Sequence, residues 1–215
     1  MSWWRWPGRR APTPEGAEAR WLVLDVEATG LDPHRAELLA IAAVGLRCDW
    51  RTRRLALCPG DSFSVRLRPS RPGSRENVLV HGIGLGAQDR AAQPRDALQA
   101  FLQFAQGAPL LAFHADFDRT LLQRQVRAQG GRRMAHAWLD IAHLCTSAFP
   151  SVRARSLDDW LGHFGITCLA RHEAEADVLA ESELLQRVWP RVAAECGSWD
   201  ALQAYASRHA WLRQP

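Results

Sequence analysis

The sequence contains no lysine; all 27 of its basic residues are arginine. Genomic base composition is enough to produce that bias, and the physical consequence is the same whatever its cause. A guanidinium presents a planar fork suited to bidentate phosphate contacts. With a net charge of +4 and a pI near 9.1, an arginine-only basic surface is compatible with a polyanionic partner without requiring one. Long apolar runs are also missing. None approaches the roughly 18 residues that a bilayer span needs, and the start of the chain lacks the apolar stretch of about 7–15 residues of a secretory signal. A membrane span is therefore not expected. The five cysteines, Cys48, Cys58, Cys145, Cys168 and Cys196, are odd in number, scattered, and never in a C-x-x-C pair. That pattern disfavours a disulfide framework or a zinc site, and a reducing cytoplasm is the expected compartment.

What is present fits one domain with extensions, since 215 residues suffice to bury a sizeable core. Residues 1–20 read as a disordered tail in which proline, glycine and mixed charge leave no periodicity that could bury a face. Its cluster of Trp3, Trp4, Trp6, Arg5, Arg9 and Arg10 could dock on a partner or an anionic surface. A domain over 21–195 and a C-terminal helical extension over 196–215 complete the expected organisation.

Order is expected from Trp21, with a strand over Trp21–Glu27 and a Thr29-Gly30 turn. A second strand is predicted over Glu37–Leu46, and further strand around Leu55–Cys58 and Asp61–Arg68, where apolar residues alternate from Phe63 to Leu67. Residues Arg47 to Arg75 hold eight arginines, as a solvated hairpin would. The pattern then changes. Helical spacing over Pro94–Phe104 begins with proline and stops at Gly107. A short buried strand follows at Leu110–Phe113, then a helix around Asp118–Ala128 and a last strand near Ala137–Ile141. Ser156-Leu-Asp-Asp159 has the S-x-x-D form of a helix start, ending at His163-Phe-Gly165. Helices over about Glu173–Val188 and Trp199–Trp211 finish the chain. Strands first, then alternating helices and strands, imply a mixed sheet flanked by helices.

Three acidic stretches invite chemistry. Asp25 and Glu27 sit two apart in the first strand, hence on one face and about 7 Å apart along it. On an apolar strand such a pair repels and loses hydration. Either the strand ends at Leu24 and both acids are solvated, or a divalent cation supplies the missing charge. In Phe113-His-Ala-Asp-Phe-Asp118, Asp118 lies where a strand hands over to a helix, a position that helix capping alone could also explain. In Arg171-His-Glu-Ala-Glu-Ala-Asp177, Asp177 falls in the first turns of a helix and His172 just before it; acids favoured by the helix dipole are the plain alternative.

In combination the stretches run D-x-E-x-T-G, then an apolar strand leading to F-D, then H-x-A-x-x-D. That order resembles the DEDDh branch of the DnaQ-like 3'→5' exonucleases, related to the epsilon subunit of bacterial DNA polymerase III. The resemblance covers about Trp21 to Leu185. It extends to Leu31-Asp-Pro, Asp61-Ser-Phe, Val80-His-Gly-Ile83, Leu139-Asp140 and Ser156-Leu-Asp-Asp159. Two departures stand out: His114 occupies a position where many relatives carry asparagine, and Ala28 one that is often threonine.

The resemblance implies a ribonuclease H-like α/β fold, a mixed five-stranded sheet flanked by helices. It also implies hydrolysis of terminal phosphodiesters of DNA to release 5'-mononucleotides, in proofreading, repair or end trimming. Two divalent cations, Mg²⁺ or Mn²⁺ from the oxygen-only donors, would be held by Asp25, Glu27, Asp118 and Asp177 and stabilise the attacking and leaving oxygens. His172 would be the general base, since an ordinary imidazole titrates near neutral pH. Thr29, Gly30 and Leu31 would contact the terminal nucleotide, with His81 and Phe117 as further substrate contacts; periodicity suits Phe117 equally to the core. The expected partner is a single-stranded 3' end of DNA, with RNA open because 2'-hydroxyl contacts are not legible here. An exoribonuclease trimming RNA ends or short oligoribonucleotides is thus one rival. A non-catalytic module attached to a DNA polymerase is another, opposed by the presence of all five core residues. No dedicated polymerase-binding tail is evident in the residues after Asp177, which favours a stand-alone or loosely associated enzyme over a holoenzyme subunit, with a DNA polymerase as a possible partner.

Overall fold

A computed structural model describes residues 18–70 and 82–208. The tryptophan- and arginine-bearing stretch before Glu18, and His81, lie outside these residues. The five-stranded sheet has the order β3-β2-β1-β4-β5. Strands β1 (Glu18–Ala28), β2 (Leu38–Asp49) and β3 (Arg54–Arg66) form an antiparallel meander. Strands β4 (Leu110–Ala112) and β5 (Trp138–Asp140) add to β1 in parallel. The mixed sheet is as expected, and the strand after the tail starts at Glu18, three residues before Trp21.

Strand β1 shows why the sheet is covered on both faces. Trp21 and Val23 join the core on one face, Leu22, Leu24 and Val26 that on the other, and all five are buried. Helices α2 (Pro94–Ala105) and α3 (Asp116–Ala128) cover the second face through Leu98, Phe101, Leu121 and Leu122. The first face is covered by α4 (Ile141–Ala148), α5 (Leu157–Phe164), α6 (Ala174–Glu195) and α7 (Trp199–Ser207). A single turn of helix, α1 (Leu85–Asp89), precedes them all. Trp21 meets Trp50, Trp189 and Trp199 edge-on, with ring centroids 5.3–5.6 Å apart, the geometry that aromatic quadrupoles prefer. This cluster fastens α6 and α7 to the sheet, and α7 buries Trp199, Leu202 and Tyr205 in the same core.

Three local outcomes depart from the sequence reading. Leu55–Cys58 and Asp61–Arg68 form one long strand, β3, interrupted by a register shift opposite Val44/Gly45. A Cβ on Gly45 would lie 2.1 Å from the Asp61 carboxylate, which is held there by Arg20 in a two-pronged ion pair at 2.6 and 2.8 Å. Glycine lets that carboxylate cross β2. Helix α4 was not anticipated, although Ile141, Leu144, Cys145 and Ala148 are buried at helical spacing and Asp140 caps it, accepting from the Ala142 N–H at 2.8 Å. Helix α6 runs past Val188 through Pro190 to Glu195. An interior proline costs a helix about 3 kcal/mol, and the burial of Trp189 just before it and of Val192 and Ala193 beyond it offsets that cost.

Candidate active site

Because β1, β4 and β5 run parallel, their carboxyl ends share one edge of the sheet, where open α/β sheets place their ligands. Asp25 and Glu27 stand near the end of β1, on the face shared by Trp21 and Val23, which looks toward α6. Asp177 lies in the first turn of α6, in register to meet them. One carboxylate oxygen from each of Asp25, Glu27 and Asp177 falls within 4.8 Å of the others. Asp118, in the first turn of α3 just beyond β4, is buried at 4% exposure and interacts electrostatically with Asp25. Four of the expected acids are thus brought together from β1, α3 and α6.

A fifth acid was missed. Glu181, 1% exposed, lies one helical turn after Asp177 on the same face of α6. Its Oε2 accepts the Phe113 N–H at 3.3 Å, and it feels the charges of Asp25, Asp118 and Asp177. The i, i+4 spacing from Asp177 was the signal that could have found it.

Crowding and burial raise these acids together. Burial first, and then the charge of Asp177, push Asp25 from its ordinary 3.8 up to about 8. Burial, Asp25 and Asp177 push Glu27 from 4.5 up to about 9. Burial and then Asp25 raise both Asp118 and Glu181 well above the carboxylate range. Such a cluster carries more negative charge than the Arg171 guanidinium beside it offsets, and a divalent cation is the physical remedy. The donors are carboxylate oxygens, as Mg²⁺ or Mn²⁺ prefer, so the residues fit such ions.

The cluster opens into a cleft of about 410 Å³ lined by Asp25, Glu27, His114, Arg155, Ser156, Arg171, His172, Asp177 and Glu181 among others. His172 is exposed just ahead of α6, and its N–H donates to Asp177 Oδ2 at 3.0 Å. Its φ of 65° is in the left-handed region that histidine visits more often than most residues. His114, with φ 61°, shares that conformation; its N–H donates to Asp140 Oδ1 at 3.2 Å and its ring packs edge-on against Phe113. Arg171 was not singled out in the sequence. It donates to Asp158 at 2.5 Å and to Asp177, placing a guanidinium beside the acids. Arg155, exposed in the same cleft, was missed as well, and no spacing rule points to either.

The expected substrate contacts divide. Thr29 Oγ1 accepts the Glu37 N–H at 2.8 Å, which closes the β1–β2 loop directly after Glu27. Gly30 and Leu31 follow in that loop, and Leu31 is 95% exposed. Phe117 packs against the α2–α3 core and is absent from the cleft lining. His81 lies outside the described residues. All five cysteines are free, and Cys168 Sγ donates to Asp177 Oδ1 at 3.4 Å.

Residues 22–185, most of the chain, match the Exonuclease family of the RNase T type. The chain belongs to this exonuclease family. It is 33% identical over 177 residues to a DNA polymerase III subunit epsilon-like protein of Rhodobacter capsulatus, covering 81% of this chain and 24% of that protein. It is 26% identical over 170 residues to the PolC-type DNA polymerase III of Thermotoga maritima, covering 79% and 12%. The chain thus spans a quarter or less of these relatives. Among solved structures, E. coli Exonuclease I in complex with a dT13 oligonucleotide superposes with a TM-score of 0.67 at 17% identity, over 80% of this chain and 41% of that one. The shared fold is ribonuclease H-like, and this member of the family carries an acidic cluster in its cleft. Among the described residues no helix is long and apolar enough to cross a membrane.

Proposed function

We propose that the domain is a 3'→5' exonuclease that hydrolyses the terminal phosphodiester of a DNA strand and releases 5'-mononucleotides. The observation that carries this reading is the convergence of Asp25, Glu27 and Asp177 within 4.8 Å, with an exposed histidine, His172, on the same cleft. Two divalent cations, Mg²⁺ or Mn²⁺, would be held by Asp25, Glu27, Asp177 and Asp118, and would supply water activation and relief of charge on the phosphoryl and leaving oxygens. His172 takes the proton of the attacking water; its exposure leaves the imidazole room to reach it, while its backbone is tied to Asp177. Thr29 and Gly30 border the terminal sugar, and Leu31 packs its exposed side chain on the terminal base. The names of the relatives, DNA polymerase III epsilon-like and PolC-type, support DNA as the strand. Every side chain to which this reading gives a chemical role is on this chain, so the bond-breaking step itself calls for no residue from a polymerase subunit.

The test is a time course on matched 5'-labelled single-stranded DNA and RNA with Mn²⁺ or Mg²⁺, and EDTA as control. A metal-dependent ladder that shortens from the 3' end, faster on DNA, is expected. Faster RNA shortening would replace the substrate, and no cleavage by folded protein would remove the enzymatic reading.

A further inference from the structure

A second cleft of about 470 Å³ lies along α3, and its lining is basic. Arg119 and Arg127 project from one face of α3, eight residues apart and therefore about 12 Å along the helix axis. Arg133 stands across from them, with Trp138 and His34 also in the lining. Asp116 is the one carboxylate there. Some arginines elsewhere find acids, as Arg20 does with Asp61, Arg68 with Asp89, and Arg171 with Asp158 and Asp177, while others stand singly on the surface. Arg119, Arg127 and Arg133 are exposed, and among the described residues none of them forms an ion pair. Three uncompensated guanidinium groups on one cleft repel one another, and a polyanion relieves that repulsion.

Both walls are built. Arg124, on the same helix, donates to the Pro33 carbonyl at 3.0 Å and to the Ala36 carbonyl, pinning the β1–β2 loop to α3. Gln123 Oε1 accepts the Met134 N–H at 2.8 Å and holds the segment next to Arg133. The cleft also adjoins the catalytic one. Asp116 lies two residues beyond His114, which lines the catalytic cleft, and His34 lies three residues beyond Leu31 in the pinned loop.

We infer that this α3 cleft carries the strand leading away from the scissile bond, with Arg119, Arg127 and Arg133 on successive phosphates and Trp138 offering a stacking face to a base. This rests on the exonuclease reading above. A 12 Å separation is too long for one phosphate, and arginine interleaved with an aromatic ring is how single strands are held without regard to sequence. The binding contributed here is spread over non-reacting nucleotides and acts on substrate capture, leaving the bond-breaking step to the acidic cluster.

The experiment compares wild type with Arg119→Gln/Arg127→Gln/Arg133→Gln on a 12-nucleotide single-stranded DNA, measuring kcat and KM from 50 to 200 mM salt. Three lost phosphate contacts reduce the log–log salt slope by about 2, at roughly 0.7 per contact. The variant should therefore show a KM on the order of tenfold higher at 50 mM salt, a flatter salt dependence and a kcat close to wild type. Lysine at the same three positions should restore most of the slope. Arg51→Gln/Arg54→Gln, at the far end of the sheet, removes charge without touching the cleft and should change neither constant. An unaltered KM and slope in the glutamine variant, or a loss confined to kcat, overturns the strand path while leaving the nuclease intact. A wild-type protein that cleaves no strand overturns the exonuclease reading itself, and the strand path with it.

Discussion

Asp25 is held in a state that an isolated carboxylate would avoid: half-buried, within reach of Glu27 and Asp177, and raised to about 8. Asp25→Asn keeps the shape and removes the charge. It should abolish nuclease activity, and it should raise the metal-free melting temperature at pH 8 while leaving it nearly unchanged well below pH 3.8, where wild-type Asp25 is protonated in both the folded and the unfolded chain. Full activity in that variant would sink the cation assignment. His172 makes the opposite kind of contribution. It touches the cluster through its backbone, so His172→Ala should lower kcat by about 10²–10⁴ and leave Mn²⁺ affinity within a few-fold, as calorimetric titration would read. A collapse of Mn²⁺ binding would make the imidazole a ligand. Both acids and the histidine were legible in the sequence because like charges on an apolar strand, and a histidine before an acidic helix, are locally anomalous. Glu181 was not singled out. Alone it looks like any helix glutamate, and only its burial against Phe113 and Asp118 sets it apart.

At the scale of elements, α5 connects stability to the site. Ser156 and Asp159 form a reciprocal capping box, with the Asp159 N–H on Ser156 Oγ at 3.1 Å and the Ser156 N–H on Asp159 Oδ2 at 2.9 Å. Gly165 closes the helix at φ 65°. The same turn carries Asp158, which grips Arg171, and Ser156 itself lines the catalytic cleft. Ser156→Ala should cost about 1 kcal/mol in chemical denaturation. Unchanged stability would mean that the box is dispensable. The box could be read from S-x-x-D because capping is a local exchange between side chain and backbone. The continuation of α6 through Pro190 could not, because it depends on Trp189 reaching the Arg53 carbonyl at 2.9 Å across the sheet and on apolar burial beyond the proline.

For the whole molecule, the buried acids couple folding to pH and to cations. Asp25 and Glu27 hold protons in the folded state up to about pH 8 and 9, while the unfolded chain releases them near 3.8 and 4.5. Between those limits the folded state binds more protons, so their contribution to stability is fully present at low pH and is lost as pH rises from about 4 to 9. Metal-free protein should therefore melt at progressively lower temperature across that range. Saturating Mn²⁺ should flatten the trend, because a ligand bound only to the folded state stabilises it by mass action. Parallel pH profiles with EDTA and with Mn²⁺ would remove cation binding from this cluster.

The sequence alone determined the kind of chemistry available: which acids exist, that they sit at the ends of strands and the starts of helices, and that a mixed sheet precedes them. These are consequences of residue type, period and spacing, which act over a few positions. Tertiary structure decided the rest. It brought Asp25, Asp118 and Asp177 to one edge from three distant segments, because parallel pairing of β1, β4 and β5 puts their carboxyl ends together. It merged the two expected pieces of β3 around Gly45, and it set Arg171 against Asp177. It also aligned Arg119 and Arg127 with Arg133 along α3. Each of those outcomes depends on contacts between residues far apart in the chain, whose energies no local pattern encodes.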